Sequence, residues 1–150
     1  MVVLELLQRR YPNSAMVDML APHGSLRRAR GLGAMTTELE ALKHSLREFA
    51  RDRDWGQFHS PKNLAAALSV EAGELLEHFQ WISEADSRSL SEEKRAAVAM
   101  ELADVFIYLL QLSDKLDVDL ISAAQSKMAV NAEKYPVALA KGSSRKYTEL

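Results

Sequence analysis

Between residues 92 and 116, apolar side chains would cover almost the whole circumference of a helix. They are Val98, Met100, Leu102, Val105, Phe106, Ile107, Leu109, Leu110 and Leu112. A helix that is apolar on nearly every side is stable in water only when other helices bury it. The segment therefore predicts the central helix of an all-α protein, and no stretch of the chain shows the alternating pattern of a strand.

One polar line runs along this predicted helix and consists of Glu101, Asp104, Tyr108 and Gln111. Glu101 and Asp104 are spaced i, i+3, so both carboxylates project from one side of the helix. Because the rest of the helix is apolar, this line must face something other than bulk water.

A second acidic pair, Glu71 and Glu74, lies in the preceding helical stretch with the same spacing. Glu74 falls on a neighbouring line with Ala67 and Trp81, whereas Glu71 takes a place where an apolar residue would face the core. The line that contains Glu71 is formed by Leu64, Leu68, Glu71, Leu75, His78 and Ile82.

Four carboxylates brought together inside a helical protein repel one another, and an isolated buried charge costs several kcal/mol. Protons or cations must compensate, and Mg²⁺ is the expected cation because hard divalent ions prefer oxygen ligands. The alternative is that acids are solvated or paired with Lys and Arg. We adopt that alternative for the remaining acids on exposed faces, Glu77, Glu84, Glu92 and Glu93. For Glu101 and Asp104 we predict metal binding, because their helix offers no exposed polar face.

Caps and helix breakers divide the chain into four helices. Helix one is predicted over residues 36–53 and helix two over 60–82, with Ser60 as cap and Pro61 in the first turn. Helix three is predicted over 92–116 and helix four over 119–134, ending before Tyr135-Pro136. Four helices joined by short connections predict an antiparallel four-helix bundle.

The ends of the chain differ from this helical part. Residues 1–34 contain proline and glycine that break any long periodicity, and we predict a poorly ordered extension there. Met35 is the expected functional start of a helical catalytic domain over residues 35–136, and residues 137–150 read as a polar tail.

Composition excludes several classes of function. The chain of 150 residues fits one domain, and its lack of cysteine excludes disulfides, thiolate catalysis and Cys-ligated metals. A net charge of −2 gives no electrostatic footprint for a nucleic acid polymer or an anionic membrane. The longest uninterrupted apolar run, residues 105–110, is far shorter than the ~18 residues of a membrane span. We expect a cytoplasmic protein.

Helix three is apolar on more sides than three helices of the same chain can cover. We therefore predict an obligate homo-oligomer, a homodimer or homotetramer, in which association buries part of helices two to four.

Several side chains around the acids suit a nucleotide. Trp81 follows Glu74 by seven residues on one line, roughly 10 Å along the axis, which is about the span from the α-phosphate of a nucleotide to its base. Trp55, Phe58 and His59, in the loop before helix two, would complete a base pocket by stacking and hydrogen bonding. The alternative is that Trp81 and Phe58 are core residues.

Helix four carries Lys127, Asn131 and Tyr135 in one continuous stripe. Lys127 could neutralise a phosphate and Asn131 could position one. The alternative is a solvated helix face, with Tyr135 making a packing contact at the helix end.

The motifs occur in a characteristic order over residues 39–150. They are Arg53 to His59, Glu71-Ala-Gly-Glu74-Leu, Phe79-Gln80-Trp81, Glu101-Leu-Ala-Asp104-Val, Ile107-Tyr108-Leu109, Ser126-Lys127-Met128, Asn131, Tyr135-Pro136, Gly142-Ser143 and Lys146-Tyr147-Thr148. This ordered set resembles the MazG-like nucleoside triphosphate pyrophosphohydrolases and, among them, the dCTP pyrophosphatase branch.

The resemblance implies hydrolysis of a (deoxy)nucleoside triphosphate, dCTP or a modified dCTP, to the monophosphate and pyrophosphate. It implies Mg²⁺ held by Glu71, Glu74, Glu101 and Asp104. It also implies substrate contacts from Trp55, Gln57, Phe58, His59, Trp81 and Tyr108, with Lys127 and Asn131 as phosphate ligands. Sites at the subunit interfaces of a dimer, or of a pair of dimers, are implied as well. The dCTP-type branch has a histidine on helix one in its base pocket where Leu46 stands here, so the base preference stays open.

Two other functions remain open at this point. A di-iron or di-manganese carboxylate bundle would use Glu-x-x-His on paired helices, and this chain has no such motif. A non-catalytic helical oligomerisation module would pair its acids with basic partners. In the pyrophosphohydrolase reading, Glu71 and Glu74 are the candidates to accept the proton of the attacking water.

Overall fold

The structure, a computed structural model, describes residues 33–150, with side chains from residue 38 onward. Except for its last two residues, the predicted N-terminal extension over 1–34 lies outside the described residues. The domain start at Met35 therefore stays a prediction.

Helices account for nearly all regular structure between residues 33 and 150. They are α1 (Gly33–Arg51), α2 (Pro61–Glu77), α3 (Glu84–Ser87), α4 (Glu92–Lys115), α5 (Leu120–Lys134) and α6 (Val137–Ala140), with 3-10 turns at Trp55–Gln57 and Tyr147–Glu149. The same residues form no strand, and the predicted all-α class is confirmed.

Side-chain caps start two of the long helices where the sequence predicts. The Oγ atom of Ser60 accepts a hydrogen bond from the backbone N–H of Asn63 at 3.2 Å, with Pro61 in the first turn of α2. The Oδ1 atom of Asp119 accepts hydrogen bonds from the backbone N–H groups of Ile121 and Ser122 at 2.9 and 3.1 Å. The predicted starts of α2 and α5 are confirmed.

Other boundaries differ from the prediction. The second helix ends at Glu77 rather than Ile82. Ser83 adopts an extended backbone and caps the short helix α3, with its Oγ accepting from Asp86 N–H at 3.1 Å. Between Glu77 and Ser83 the backbone forms turns, with hydrogen bonds from Phe79 N–H to Leu76 O at 2.9 Å and from Ile82 N–H to Phe79 O at 3.2 Å, so α2 does not reach Ile82. The first helix begins at Gly33, three residues before its predicted start.

The core lies where α2 runs along α4 and where α1 packs against the C-terminal half of α4. Its buried apolar side chains are Leu46 of α1, Leu64 of α2, and Val98 and Leu110 of α4. Leu64 and Leu110 are almost fully enclosed. The two contacts fix α4 at the centre, in agreement with its apolar sequence.

The fourth long helix takes little part in this core. Within residues 33–150, extended contacts between helices join only α2 with α4 and α1 with α4. The single chain therefore does not close the predicted four-helix bundle. One side of α4 stays open, with large apolar side chains that are more than a third exposed, including Leu102, Phe106 and Leu109.

By length and composition alone, α4 could also cross a membrane. The short uninterrupted apolar run at residues 105–110 does not indicate this. The core helix of a soluble protein meets the same criterion. Because α4 packs along α2 and carries Glu101 and Asp104 near its middle, we interpret it as a core helix.

The ion pair between Arg47 and Asp114 ties α1 to α4 and gives a first prediction. Arg47 donates two hydrogen bonds to the carboxylate, one of them from Nε at 2.8 Å. This hydrogen bonding holds the pKa of Asp114 below its ordinary value of 3.8. We expect Asp114→Asn to lower the free energy of unfolding at pH 7 by about 0.5–1 kcal/mol, a small effect because solvent screens the half-exposed Arg47.

The pH dependence of this difference follows from the direction of the shift. A carboxylate with a lowered pKa in the folded state stabilises above its unfolded-state pKa, and the contribution disappears as the pH falls through the folded-state value. Urea unfolding of both proteins at pH 7 and near pH 3 measures it. A difference of equal size at the two pH values would contradict the assignment to the ion pair.

Candidate active site

The contact between α2 and α4 brings acids from both helices together. Glu71, Glu101 and Asp104 each offer a carboxylate oxygen, and these three oxygens lie within 4.8 Å of one another. All three side chains are half-buried. The line predicted to face the core of α2 is likewise buried or half-buried from Leu64 to Ile82. Glu71 therefore reaches α4 because it lies on the packed face of its own helix.

The pKa values report the crowding of negative charge. Burial raises the pKa of Glu71 above its ordinary 4.5, and the charges of Glu74, Asp104 and Glu101 raise it further. Burial also raises the pKa of Tyr108, with added contributions from Glu71 and Asp104. The Tyr108 hydroxyl thus lies in the field of the acids, and a cation placed among them would relieve the repulsion.

Glu74 is at the edge of this group. Its side chain is exposed, and it is not one of the three acids whose oxygens converge. It lines an open cavity with Glu77, His78, Lys94 and Glu101. In this cavity Nε2 of His78 lies 4.0 Å from Oε1 of Glu101. The i, i+3 spacing places Glu74 near the other acids without directing it onto α4.

The donor set fits a hard divalent cation. Three carboxylates from two helices converge, and carboxylate oxygens are the ligands that Mg²⁺ and similar ions prefer. Three converging acids at a half-buried position could hold such an ion.

The aromatic loop between α1 and α2 is held by its own contacts. Asp54 adopts a left-handed backbone with φ of 53°, and its side-chain and backbone oxygens accept hydrogen bonds from Nε2 of Gln57 at 2.9 and 3.0 Å. The ring of Trp55 packs edge-on against the ring of Phe49, with 5.7 Å between the ring centroids, and its centroid lies 6.1 Å from that of His59. Gln57 therefore shapes the loop in this structure, and its contact with substrate stays a prediction.

The loop lies beside the C-terminal half of α4. His59 is half-buried, and burial followed by the charge of Lys115 lowers its pKa, which favours the neutral imidazole. The loop, α1 and α4 line an open cavity of about 310 Å³, and Gln111 of α4 is part of the lining. Phe58, in contrast, is mostly exposed.

Three predicted substrate ligands lie elsewhere on the molecule. Trp81 is almost fully exposed and follows the C-terminal end of α2, whereas the aromatic loop precedes its N-terminal end. The length of α2, about 25 Å, therefore separates Trp81 from the loop within one chain. Lys127 and Asn131 are exposed on α5. Their roles stay predictions.

The structure adds residues to which the sequence assigns no role. Gln111 lies on the predicted polar line, yet the sequence gives it no function. His78 lies on the predicted core line of α2, one turn beyond Glu74. This position indicates that His78 faces α4, where its Nε2 lies 4.0 Å from Oε1 of Glu101. The ion pair of Arg47 with Asp114 had no sequence signal, because the two residues are 67 positions apart.

The chain was compared with known proteins. A model of the MazG-like family matches residues 66–150. The chain is 49% identical over 114 residues to dCTP pyrophosphatase 1 of Homo sapiens, and this alignment covers 75% of this chain and 67% of the human protein. It is 43% identical over 142 residues to dCTP pyrophosphatase 1 of Bos taurus, and this alignment covers 91% of this chain and 84% of the bovine protein. The crystal structure of a pyrophosphatase from Archaeoglobus fulgidus matches with a TM-score of 0.63 and 39% identity, over 75% of this chain and 99% of the archaeal one.

Proposed function

The chain belongs to the MazG-like family, and from this premise we propose that it is an Mg²⁺-dependent pyrophosphohydrolase that cleaves dCTP to dCMP and pyrophosphate. The single observation that carries the proposal is the convergence of Glu71, Glu101 and Asp104 within 4.8 Å. Relatives named dCTP pyrophosphatase 1 and a structural neighbour named a pyrophosphatase support the same reaction.

The reaction requires compensation of negative charge. Hydrolysis adds a water oxygen to the α-phosphorus and breaks its bond to the oxygen that bridges the α- and β-phosphates. A bound Mg²⁺ would supply Lewis-acid chemistry, neutralising phosphate charge and lowering the pKa of a coordinated water. We infer that Glu71, Glu101 and Asp104 hold this ion and that Glu74 completes the set from the edge of the group.

The chain's own groups have distinct parts in this proposal. Glu71 and Glu74 are the candidates to accept the proton of the attacking water. The half-buried Tyr108 hydroxyl lies next to the acids and can donate a hydrogen bond to a phosphate oxygen.

The remaining predicted ligands would complete the substrate site. Trp55 and His59 lie in the packed loop beside α4, where they can contact the base. Trp81, Lys127 and Asn131 are exposed in the single chain, and a partner subunit would bring such residues toward a site shared between chains.

We also propose a homo-oligomer, a homodimer or homotetramer, whose interface closes the helical bundle. The support is the open side of α4, where Leu102, Phe106 and Leu109 are spaced i, i+4 and i+7 and stay 51, 43 and 36% exposed. A row of large apolar side chains at helical spacing marks an interaction surface. A soluble, cytoplasmic location is part of the same proposal.

The reaction is tested by incubating the protein with each of the four common deoxynucleoside triphosphates, with Mg²⁺ or with a chelator. We expect dCTP to be consumed with Mg²⁺ and phosphate to appear only after inorganic pyrophosphatase is added, because the product is pyrophosphate. In ¹⁸O-labelled water the label should enter dCMP, since the water oxygen joins the α-phosphorus.

Other outcomes identify the alternatives. Phosphate released without added pyrophosphatase would mean cleavage between the β- and γ-phosphates. Metal-oxidation activity with bound iron would favour a di-metal carboxylate bundle. No turnover of any nucleotide would favour a non-catalytic oligomerisation module.

A further inference from the structure

The cavity beside the aromatic loop has a wall that the proposed chemistry does not use. The cavity measures about 310 Å³, at the small end of ligand pockets. Leu46 and Ala50 give it an apolar lining that cannot hydrogen-bond. Gln111 contributes an amide group to this lining, and the side chains of His59 and Lys115 also line the cavity. The cavity can therefore hold a flat, partly apolar group and offer a few polar contacts.

Gln111 is part of the cavity lining, but its amide oxygen is buried rather than exposed in the cavity. Its side chain is half-buried, and its Oε1 is excluded from solvent without a hydrogen-bond partner among the residues that the structure describes. Buried acceptors are nearly always paired, because an unpaired one loses its bonds to water and gains none. If the terminal amide turns toward the cavity, Oε1 can accept a hydrogen bond from a donor group of a bound ligand.

The position of Gln111 relative to the acids fits a nucleotide. Gln111 follows Asp104 by seven residues, so it lies on the same side of α4 about 10 Å farther along the axis. Tyr108 lies between them on this line. The distance is about the span from an α-phosphate to its base, and a substrate with its α-phosphate at the acids would place its base in the cavity.

We propose that Gln111 reads the Watson–Crick edge of a cytosine base, with Oε1 accepting from the exocyclic amino group and Nε2 donating to ring N3. This inference rests on the proposed function and names the residue that sets its base preference. An amide offers one acceptor and two donors side by side, which matches the amino group and ring nitrogen of cytosine.

The hydrogen-bonding pattern of the proposed amide orientation favours cytosine over uracil and thymine. The cavity lining carries charges of both signs, because Asp54 and Asp114 lie there beside Lys43, Arg47 and Lys115, and Arg47 is paired with Asp114. Uracil and thymine present a carbonyl where cytosine has its amino group, so two acceptors would face each other. Adenine has the cytosine pattern, and a cavity of about 310 Å³ has room for a two-ring base, so Gln111 alone does not distinguish cytosine from adenine.

The test compares dCTP with its analogue that lacks the exocyclic amino group, the triphosphate of pyrimidin-2-one deoxyriboside. For the natural protein with Mg²⁺ we expect kcat/KM to be roughly 5- to 150-fold lower for the analogue and for dUTP, the range for one base-edge interaction. For Gln111→Leu we expect kcat/KM for dCTP to fall to the level of the analogue, so that this discrimination disappears.

Gln125→Leu, the same substitution on the exposed face of α5, is the control and should keep the discrimination. If the natural protein hydrolyses dCTP but treats the analogue equally well, or if Gln111→Leu keeps the preference, the role of Gln111 is wrong and the reaction stands. If the natural protein hydrolyses no nucleotide, the proposed function itself fails. The comparison of substrates on the natural protein does not depend on the folding of any variant.

Discussion

Asp104→Asn is expected to reduce kcat for dCTP hydrolysis by a factor of about 10²–10³ or more, the loss seen when one group that stabilises transition-state charge is removed. Asp104 contributes one of the three converging carboxylate oxygens. Asparagine has nearly the same shape but no charge, so the helix should pack as before while the site binds its cation weakly.

The fold should survive this change, because the acids repel one another. Asp104 is one of the charges that raise the pKa of Glu71, and removing it relieves this repulsion. We expect the melting temperature without metal to stay the same or rise. The increase that saturating Mg²⁺ gives the natural protein by binding the folded state should shrink or disappear.

Glu93→Gln is the matched control, since Glu93 is an exposed acid in the first turn of the same helix. It should leave both kcat and the effect of Mg²⁺ on melting unchanged. If Asp104→Asn keeps full activity together with the Mg²⁺-dependent rise in melting temperature, the assignment of the metal site is wrong.

The acidic site could be predicted because it depends on helical periodicity. The 3.6-residue repeat fixes which side chains share a face, so it places Glu71 on a core-facing line of α2 and Asp104 on the polar line of α4. Burial of both residues agrees with that expectation. Periodicity also fixed Gln111 on the same side as Asp104.

The residues that pack opposite each of these two lines of side chains could not be predicted in the same way. The cavity beside Gln111 depends on α1, whose contact with α4 runs through pairs such as Arg47 and Asp114, far apart in the chain. The separation of Trp81 from the aromatic loop, in contrast, already follows from the predicted second helix, because the loop precedes this helix and Trp81 lies at its other end. The end of α2 was placed too late, because residues 78–82 form turns instead of continuing the helix, with a hydrogen bond from Ile82 N–H to Phe79 O at 3.2 Å.

The second large effect is expected on assembly. Phe106 is 43% exposed at the centre of the row formed with Leu102 and Leu109 on the open side of α4. In a homo-oligomer this row would be covered by a second copy, and Phe106→Asp would bury an unpaired carboxylate at the interface. The cost of such a charge, about 3 kcal/mol or more, corresponds to a dissociation constant weakened by at least about 100-fold.

Gel filtration with light scattering at micromolar concentration measures this change. The natural protein should elute as a dimer or tetramer and Phe106→Asp as a monomer with the same helical circular dichroism, because the side chain is already partly exposed within one chain. Phe106→Leu keeps an apolar side chain and should assemble like the natural protein. A natural protein that is monomeric at micromolar concentration would contradict the oligomer. In that case the apolar row on α4 would need another partner, because an isolated row of this kind is unfavourable in water.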